Sequence, residues 1–297
     1  MRISIGMKNR FTSITLLILL AGLLSLGFSI KAQNPKPQPD CDQLLNQMFD
    51  AIKGLKTLRF NLFATERVDG KLESATSMAK VNVSPSKVYY KDLKKGVEVL
   101  WIKGQLDDDA IVNPNGFPYV NLHLDPNGKL MHKGQHQTIE RLGFTYLGNT
   151  IYHGYLASPD AVQKYSRYNG DTTIEGYSCN IIYINFPDFH YYTILIKDKG
   201  QTINSVADQY YLNNYEVLTA NNMSSYEEVL DVGKIIKIPN HYAKTIVLYL
   251  RKEGSLPVYL RISDDQGLFE TYWFKDIQVN PVIQDEEFTE NFSGYHF

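Results

Sequence analysis

His132 and His136 lie four residues apart, a spacing that on a helix would set two imidazoles on one face, as in a metal site. Gly134 falls between them and no acidic or cysteine residue is adjacent, so surface or hydrogen-bonded histidines are the plainer reading and no metal is expected. Cys179 could be paired with His123, His136 or His190 as an activated nucleophile. It sits, however, in Tyr177-Ser178-Cys179-Asn180, a strand-like stretch with no activating loop or helix start beside it. A structural cysteine fits better. Asp107, Asp108 and Asp109 could flank a glycosidic bond, yet a solvated acidic turn accounts for them. The chain has neither a phosphate-cradling glycine loop nor a dinucleotide fingerprint. No catalytic residue and no cofactor is expected.

The elements that must position these groups are read from composition and period. The 297 residues could hold one large domain or two, and 43% hydrophobic with 21% charged residues suits a globular chain with a real core. The 21 Tyr and 14 Phe, with frequent Val and Ile, favour pleated sheet over a helix bundle. At the N-terminus Arg2, Lys8 and Arg10 precede an apolar stretch from Ile14 to Phe28 and then Lys31-Ala32-Gln33, the layout of a cleaved secretory signal over residues 1–32. The alternative, an uncleaved anchor helix, has a short apolar run for a bilayer span. Gln38-Pro39-Asp40 before Cys41 lacks the small and apolar residues of a lipid-attachment site. Residues 33–40 form a proline-rich spacer.

Without the signal the chain carries 26 Lys plus Arg against 32 Asp plus Glu, about −6, which argues against nucleic acid as a partner. In an oxidising compartment Cys41 and Cys179 could form one bridge, and the sequence leaves that bridge and two free thiols equally open.

Leu44, Leu45, Met48, Ile52 and Leu55 share a helical face, with Asp40 placed to cap the start and Gly54 near the stop. From Thr57 the period becomes two: Leu58, Phe60 and Leu62 alternate up to Asp69-Gly70, and Ala79, Val81 and Val83 up to Ser84-Pro85-Ser86. Val97 to Ile102 is a further strand candidate. Asn113-Pro114-Asn115-Gly116 and Asp125-Pro126-Asn127-Gly128 signal turns. A helical interlude is expected from Gln137 to Tyr155, with Ile139, Leu142, Tyr146 and Leu147 on its buried face. Strands return at Cys179 to Phe186, Ala243 to Leu250, Leu256 to Ile262 and Leu268 to Phe274.

Between Tyr191 and Pro239 the residues Tyr192-Thr193-Ile194, Gly200-Gln201-Thr202-Ile203, Val206-Ala207, Tyr210, Leu218, Asn221, Leu230, Gly233 and Ile236-Lys237-Ile238-Pro239 resemble a LysM module, a small fold that recognises N-acetylglucosamine polymers. The resemblance implies a strand-helix-helix-strand unit over residues 190–239 with adjacent termini, inserted in a hairpin of a host sheet and docked through Phe189, Tyr191 and Tyr242. It also implies a shallow sugar groove formed by Gly200, Gln201, Thr202, Ile203, Val229 and Leu230, where backbone donors and acceptors grip N-acetyl groups. Gln201 departs from the acidic residue that the family often has there.

The remainder, residues 41–189 and 240–297, is similar to an uncharacterised family of secreted Bacteroidota proteins and, remotely, to the periplasmic carrier of outer-membrane lipoproteins. Val99-Leu100-Trp101, Val112-Asn113-Pro114-Asn115-Gly116-Phe117-Pro118-Tyr119, Leu122-His123-Leu124-Asp125-Pro126, Leu256-Pro257, and Asp265-Gln266-Gly267 to Tyr272-Trp273-Phe274 carry this similarity. It implies an α+β fold: an antiparallel incomplete β-barrel with a helical lid and an apolar concave face suited to acyl chains. The expected role is a non-enzymatic periplasmic or envelope-associated protein whose partners are peptidoglycan and a lipid, a lipoprotein or another apolar ligand. A wall-acting hydrolase and a purely structural spacer are the other readings.

Overall fold

The computed structural model describes residues 38–297 apart from 157–159. The expected signal and all but the end of the spacer lie outside the described residues. Helix α1, Cys41–Lys53, begins where the Asp40 carboxylate accepts from the Asp42 amide, buries Leu45, Met48, Phe49 and Ile52 on one face, and stops at Gly54. Strands β1, Thr57–Val68, and β2, Lys71–Asn82, form a hairpin whose two-residue turn, Asp69-Gly70, has φ of 48° and 75°. Both positions need the left-handed region, which Asp and Gly adopt at low cost and which matches the strand twist. β3 (Lys87–Asp92), β4 (Glu98–Ile102), β5 (Ala110–Asn113) and β6 (Leu122–Leu124) continue the sheet in sequence order.

A turn-rich segment from Asp125 leads to α2, Thr145–Leu156, and α3, Ala161–Tyr165. The expected helix over Gln137–Tyr155 is therefore shorter than its apolar pattern. Ile139–Arg141 makes only a single 3-10 turn, and Gly143 at φ 100° takes the chain out of the right-handed region before α2 starts. β7 (Ser166–Ile174) and β8 (Tyr177–Asn185) follow, then β9 (Tyr191–Leu195), α4 (Ile203–Tyr210), α5 (Asn214–Ala220) and β10 (Ile235–Pro239). The last three strands are β11 (Thr245–Arg251), β12 (Pro257–Asp264) and β13 (Gly267–Val279).

Eleven strands make one open antiparallel sheet in the order β6-β5-β4-β3-β2-β1-β13-β12-β11-β8-β7. Alternation turns Leu58, Phe60 and Leu62 of β1, Ile182 of β8, Leu248 of β11, Leu260 of β12 and Phe274 of β13 to a single core, against which α1 packs. The C-terminal residues lie over the outer face, where Tyr295 stacks on Tyr89 at 3.8 Å and Phe288 joins Leu100 and Ile111. No described helix is long and apolar enough to cross a membrane.

β9 and β10 pair only with each other, from Tyr191↔Pro239 to Leu195↔Ile235. Ile196, Ile203, Val206, Val217, Leu230, Ile236 and Ile238 form a core separate from that of the large sheet. Thr202 and Ser205 make a reciprocal capping box at α4, and the Asn213 side chain caps α5. Asn221 fastens the end of α5 to β10, accepting from the Lys237 amide at 2.8 Å and donating to its carbonyl at 2.7 Å. This segment leaves and re-enters the sheet at neighbouring points. β8 and β11 pair directly, Asn185 opposite Thr245, and the Asn240 amide donates to the His190 carbonyl at 3.0 Å.

Candidate functional site

An apolar cavity of about 300 Å³ lies between α2, α3 and the sheet. Its walls include Leu147 and Ile151 from α2, Ala161 from α3, and Ile184, Ile246 and Ile262 from β8, β11 and β12. The 191–239 segment closes one side with Tyr210, Tyr211 and Leu212. Tyr211 takes the left-handed conformation at the end of α4, φ 55°, and its ring stacks on His153 of α2 at 4.2 Å. His241 lies in the same wall, stacked on Phe186 at 4.2 Å, and burial lowers its pKa. A second cavity, about 490 Å³ and more polar, opens over β1 and β2 and includes Leu62, Glu66, Tyr90, Gln137, Thr138 and Tyr272.

A buried polar cluster connects residues of the two cavities. Glu66 on β1, Glu270 on β13 and His136 converge so that their ligand atoms lie within 4.8 Å of one another. His136 Nδ1 is 2.7 Å from Glu270, its Nε2 is 3.0 Å from the Arg67 carbonyl, and its amide donates to Glu66 at 2.6 Å. Tyr272 donates to Glu66 at 2.5 Å and Tyr242 to Glu270 at 3.1 Å, while Gln137 donates to the Tyr242 hydroxyl at 3.2 Å. Tyr242 lines the first cavity; Gln137, Glu66 and Tyr272 line the second.

Two carboxylates and an imidazole are a plausible ligand set for a divalent ion. The hydrogen bonds argue otherwise. A carbonyl opposite Nε2 calls for an N–H there, and a carboxylate opposite Nδ1 favours the doubly protonated ring, a form with no lone pair to offer a metal. Burial alone would depress the His136 pKa; the bonded Glu270 carboxylate and the nearby Glu66 outweigh it and raise it. Burial raises the Glu66 pKa.

The same cluster holds the 191–239 segment against the sheet. Asn213 donates to Glu270 at 2.6 Å and to Tyr242 at 3.0 Å, and the Tyr215 ring stacks on His136 at 4.2 Å. Further along, Tyr226 stacks on His132 at 3.8 Å, and Arg141 is 3.0 Å from Asp208. His132 thus does not share a helical face with His136. It stands in a turn, and burial lowers its pKa to about 4.

Of the residues expected to touch glycan, Gly200 and Val229 are exposed and Gln201 is half-buried. The Leu230 amide donates to the Gln201 carbonyl at 2.8 Å, so the two loops that carry them are bridged. Ile203 and Leu230 point into the segment's own core and the Thr202 hydroxyl is taken by the helix cap. Ile203 and Leu230 can offer a ligand only backbone groups, whereas the Thr202 hydroxyl, which accepts from the Ser205 amide, keeps its own proton to donate. Gly200 at φ 81° needs the left-handed conformation that glycine tolerates.

Cys41 and Cys179 are both free thiols. Cys41 packs toward the main core, whereas Cys179 is out of phase along β8 with Ile182 and Ile184 and belongs to the opposite face. A bridge would have to cross the sheet. The Cys179 thiol donates to the Tyr177 carbonyl, not to a histidine, and burial raises its pKa, which disfavours the thiolate. Leu106, Asp107 and Asp108 have φ of 52°, 56° and 69°, and Asp108 accepts from the Gly104 amide and, through its carbonyl, from the Trp101 indole. They form a tight turn, not a catalytic pair.

No curated protein matches the chain. Among solved structures it is similar to LprF from Mycobacterium bovis, with 14% identity over 83% of this chain and 96% of that one and a TM-score of 0.40. It is also similar to the Mycobacterium tuberculosis lipoprotein LppX, at 16% over 82% and 99% with 0.39. A LolA superfamily protein, NE2245, from Nitrosomonas europaea gives 8% over 85% and 98% with 0.32. Residues 56–210, just over half of the sequence, match the model of a family described as "Protein of unknown function (DUF1571)", and the chain therefore belongs to the DUF1571 family.

Proposed function

We propose that this is a non-enzymatic binding protein of the cell envelope: the large sheet takes an apolar ligand in its cavity, and residues 190–239, read as a LysM domain, hold the molecule on peptidoglycan glycan. One observation carries this reading. The segment closes on itself through β9 and β10 and, at the end of α4, supplies Tyr210, Tyr211 and Leu212 as a wall of the apolar cavity. A cavity of about 300 Å³ is at the lower end of the roughly 300–1,000 Å³ range of small-molecule sites and suits one acyl chain or a compact apolar molecule. Burying hydrocarbon there returns about 25 cal/mol per Å² of area removed from water. The bridged Gln201 and Leu230 loops, with Gly200 and Val229 exposed, support the glycan surface. The signal-like N-terminus supports the location.

The cavity is tested by displacement of a fluorescent fatty acid and by extracting lipid from protein purified without detergent. Ala161→Phe, which fills the cavity from α3, is expected to weaken probe binding at least tenfold; equal binding by wild type and variant would remove the assignment. The glycan surface is tested by co-sedimentation with purified peptidoglycan, which Gly200→Val should reduce. Release of soluble wall fragments during that incubation would favour a hydrolase instead.

A further inference from the structure

Where the 191–239 segment meets the large sheet there is a third cavity, about 530 Å³ and open to solvent. One bank is the host's, with Trp101, Glu140, Arg141 and Tyr146; the other is the segment's, with Thr202 and Glu227. Its floor is stitched across the junction. Asn127 donates to Glu140 at 2.9 Å, Asn204 donates to Asn127 at 3.1 Å and also to Glu227, and Arg141 Nη2 is 3.0 Å from Asp208. Apart from the Arg141 guanidinium, whose buried Nη1 must turn outward to be reached, the geometry is set before any ligand arrives, which lowers the ordering cost of binding.

Arg141 supplies the observation that points to a ligand. Its side chain is only 8% exposed and its guanidinium lies over the Tyr146 ring at 4.5 Å, yet Nη1 is buried without a hydrogen-bond partner. A buried guanidinium N–H without an acceptor is costly, and a carbonyl or hydroxyl oxygen of a ligand would relieve it. Lys103 and Arg141 are matched in this cleft by Asp208, Glu140 and Glu227, so it has no excess positive charge to draw an anion. What fits is a neutral molecule rich in hydroxyl donors that also carries a carbonyl acceptor.

We infer that this cleft is a glycan subsite: an N-acetylated amino sugar places its acetamido carbonyl on Arg141 Nη1 and its hydroxyls on Glu140 and Glu227. This rests on the glycan reading of the 190–239 segment, and Thr202, next to the Gly200-Gln201 loop, makes the cleft continuous with that surface. The glycan strand then runs from the segment onto the host sheet, and host residues share in its recognition.

The probe is a β-1,4-linked tetramer of N-acetylglucosamine, titrated into the full chain and followed by NMR at the amides, the Trp101 indole N–H and the arginine side chains. The expected result is saturable shifts at Gly200 and Val229 and also at Thr202, Trp101 and Arg141. Arg141→Lys keeps the charge opposite Asp208 and removes the free donor, and it should weaken binding about tenfold. Glu140→Gln, which keeps an oxygen to accept from Asn127, should weaken it several-fold. If Gly200 and Val229 shift while Trp101 and Arg141 stay still and both variants bind like wild type, the subsite is overturned and the segment's own groove stands. If nothing shifts at millimolar tetramer, the glycan reading falls together with the subsite.

Discussion

Both ring nitrogens of His136 are committed, one to a carboxylate and one to a carbonyl, inside a site that excludes water. His136 and Glu66 both hold protons more tightly folded than unfolded. Their contribution is full below their unfolded values and is lost as pH rises through their folded ones, for His136 above 6.5. His136→Gln is expected to cost about 3 kcal/mol near pH 6, since it leaves Glu270 without its cationic partner. It should also flatten the decline of stability above pH 6.5, which chemical denaturation at several pH values would show. Glu216 follows the same sign, by the cause that acts on Glu66. Burial pushes its pKa up to about 8, against one compensating bond from the Tyr191 hydroxyl. Between the unfolded value of 4.5 and about 8 the unfolded chain ionises first, so stability falls across that window. Glu216→Gln keeps the Tyr191 bond and should gain about 1–3 kcal/mol at pH 8 with no gain at pH 4, read from melting curves.

At the scale of elements, α1 and α2 cover the sheet because Gly148 lets them approach. A Cβ there would stand 2.8 Å from Ile52 Cδ1 and 3.1 Å from its Cγ2, and Ile52 is itself buried in the core. Gly148→Ala should therefore cost about 1–3 kcal/mol even though alanine is the better helix former. Faster hydrogen exchange in α2 than in the rest of the protein would mark it as the element displaced. The β1–β2 hairpin and α1 were legible in the sequence, since alternation, turn chemistry and caps all agreed. β7 was not: none of its residues is buried, so it carries no apolar alternation, and only pairing with β8 makes it a strand. β5 and β6 were missed because they are short, and β3 because its buried residues, Val88, Tyr89 and Asp92, do not alternate; the end of the expected 137–155 helix that lies before Thr145 followed an apolar pattern that Gly143 interrupts.

Across the whole molecule, docking of the 191–239 segment links the cavity, the buried cluster and the glycan cleft. Excising residues 191–239 and joining His190 to Asn240 preserves the β8–β11 pairing, yet it removes Tyr210, Tyr211 and Leu212 from the cavity and Asn213 from Glu270. The shortened protein should fold with a lower melting temperature and bind an apolar dye more strongly than the full chain. An unchanged melting temperature would mean that the contacts across the junction contribute little.

The sequence by itself determined the local pieces: the capped α1, the Asp69-Gly70 hairpin, and the strand-helix-helix-strand order between Tyr191 and Pro239, each written in contiguous residues. Only the tertiary structure decided which distant groups meet. His136 stands 70 residues from Glu66 and 134 from Glu270, and Asn127 meets Asn204 across 77. No spacing rule spans such distances, because the contacts are set by strand register and by the docking of one core against another, which are properties of packing and not of any local run of side chains.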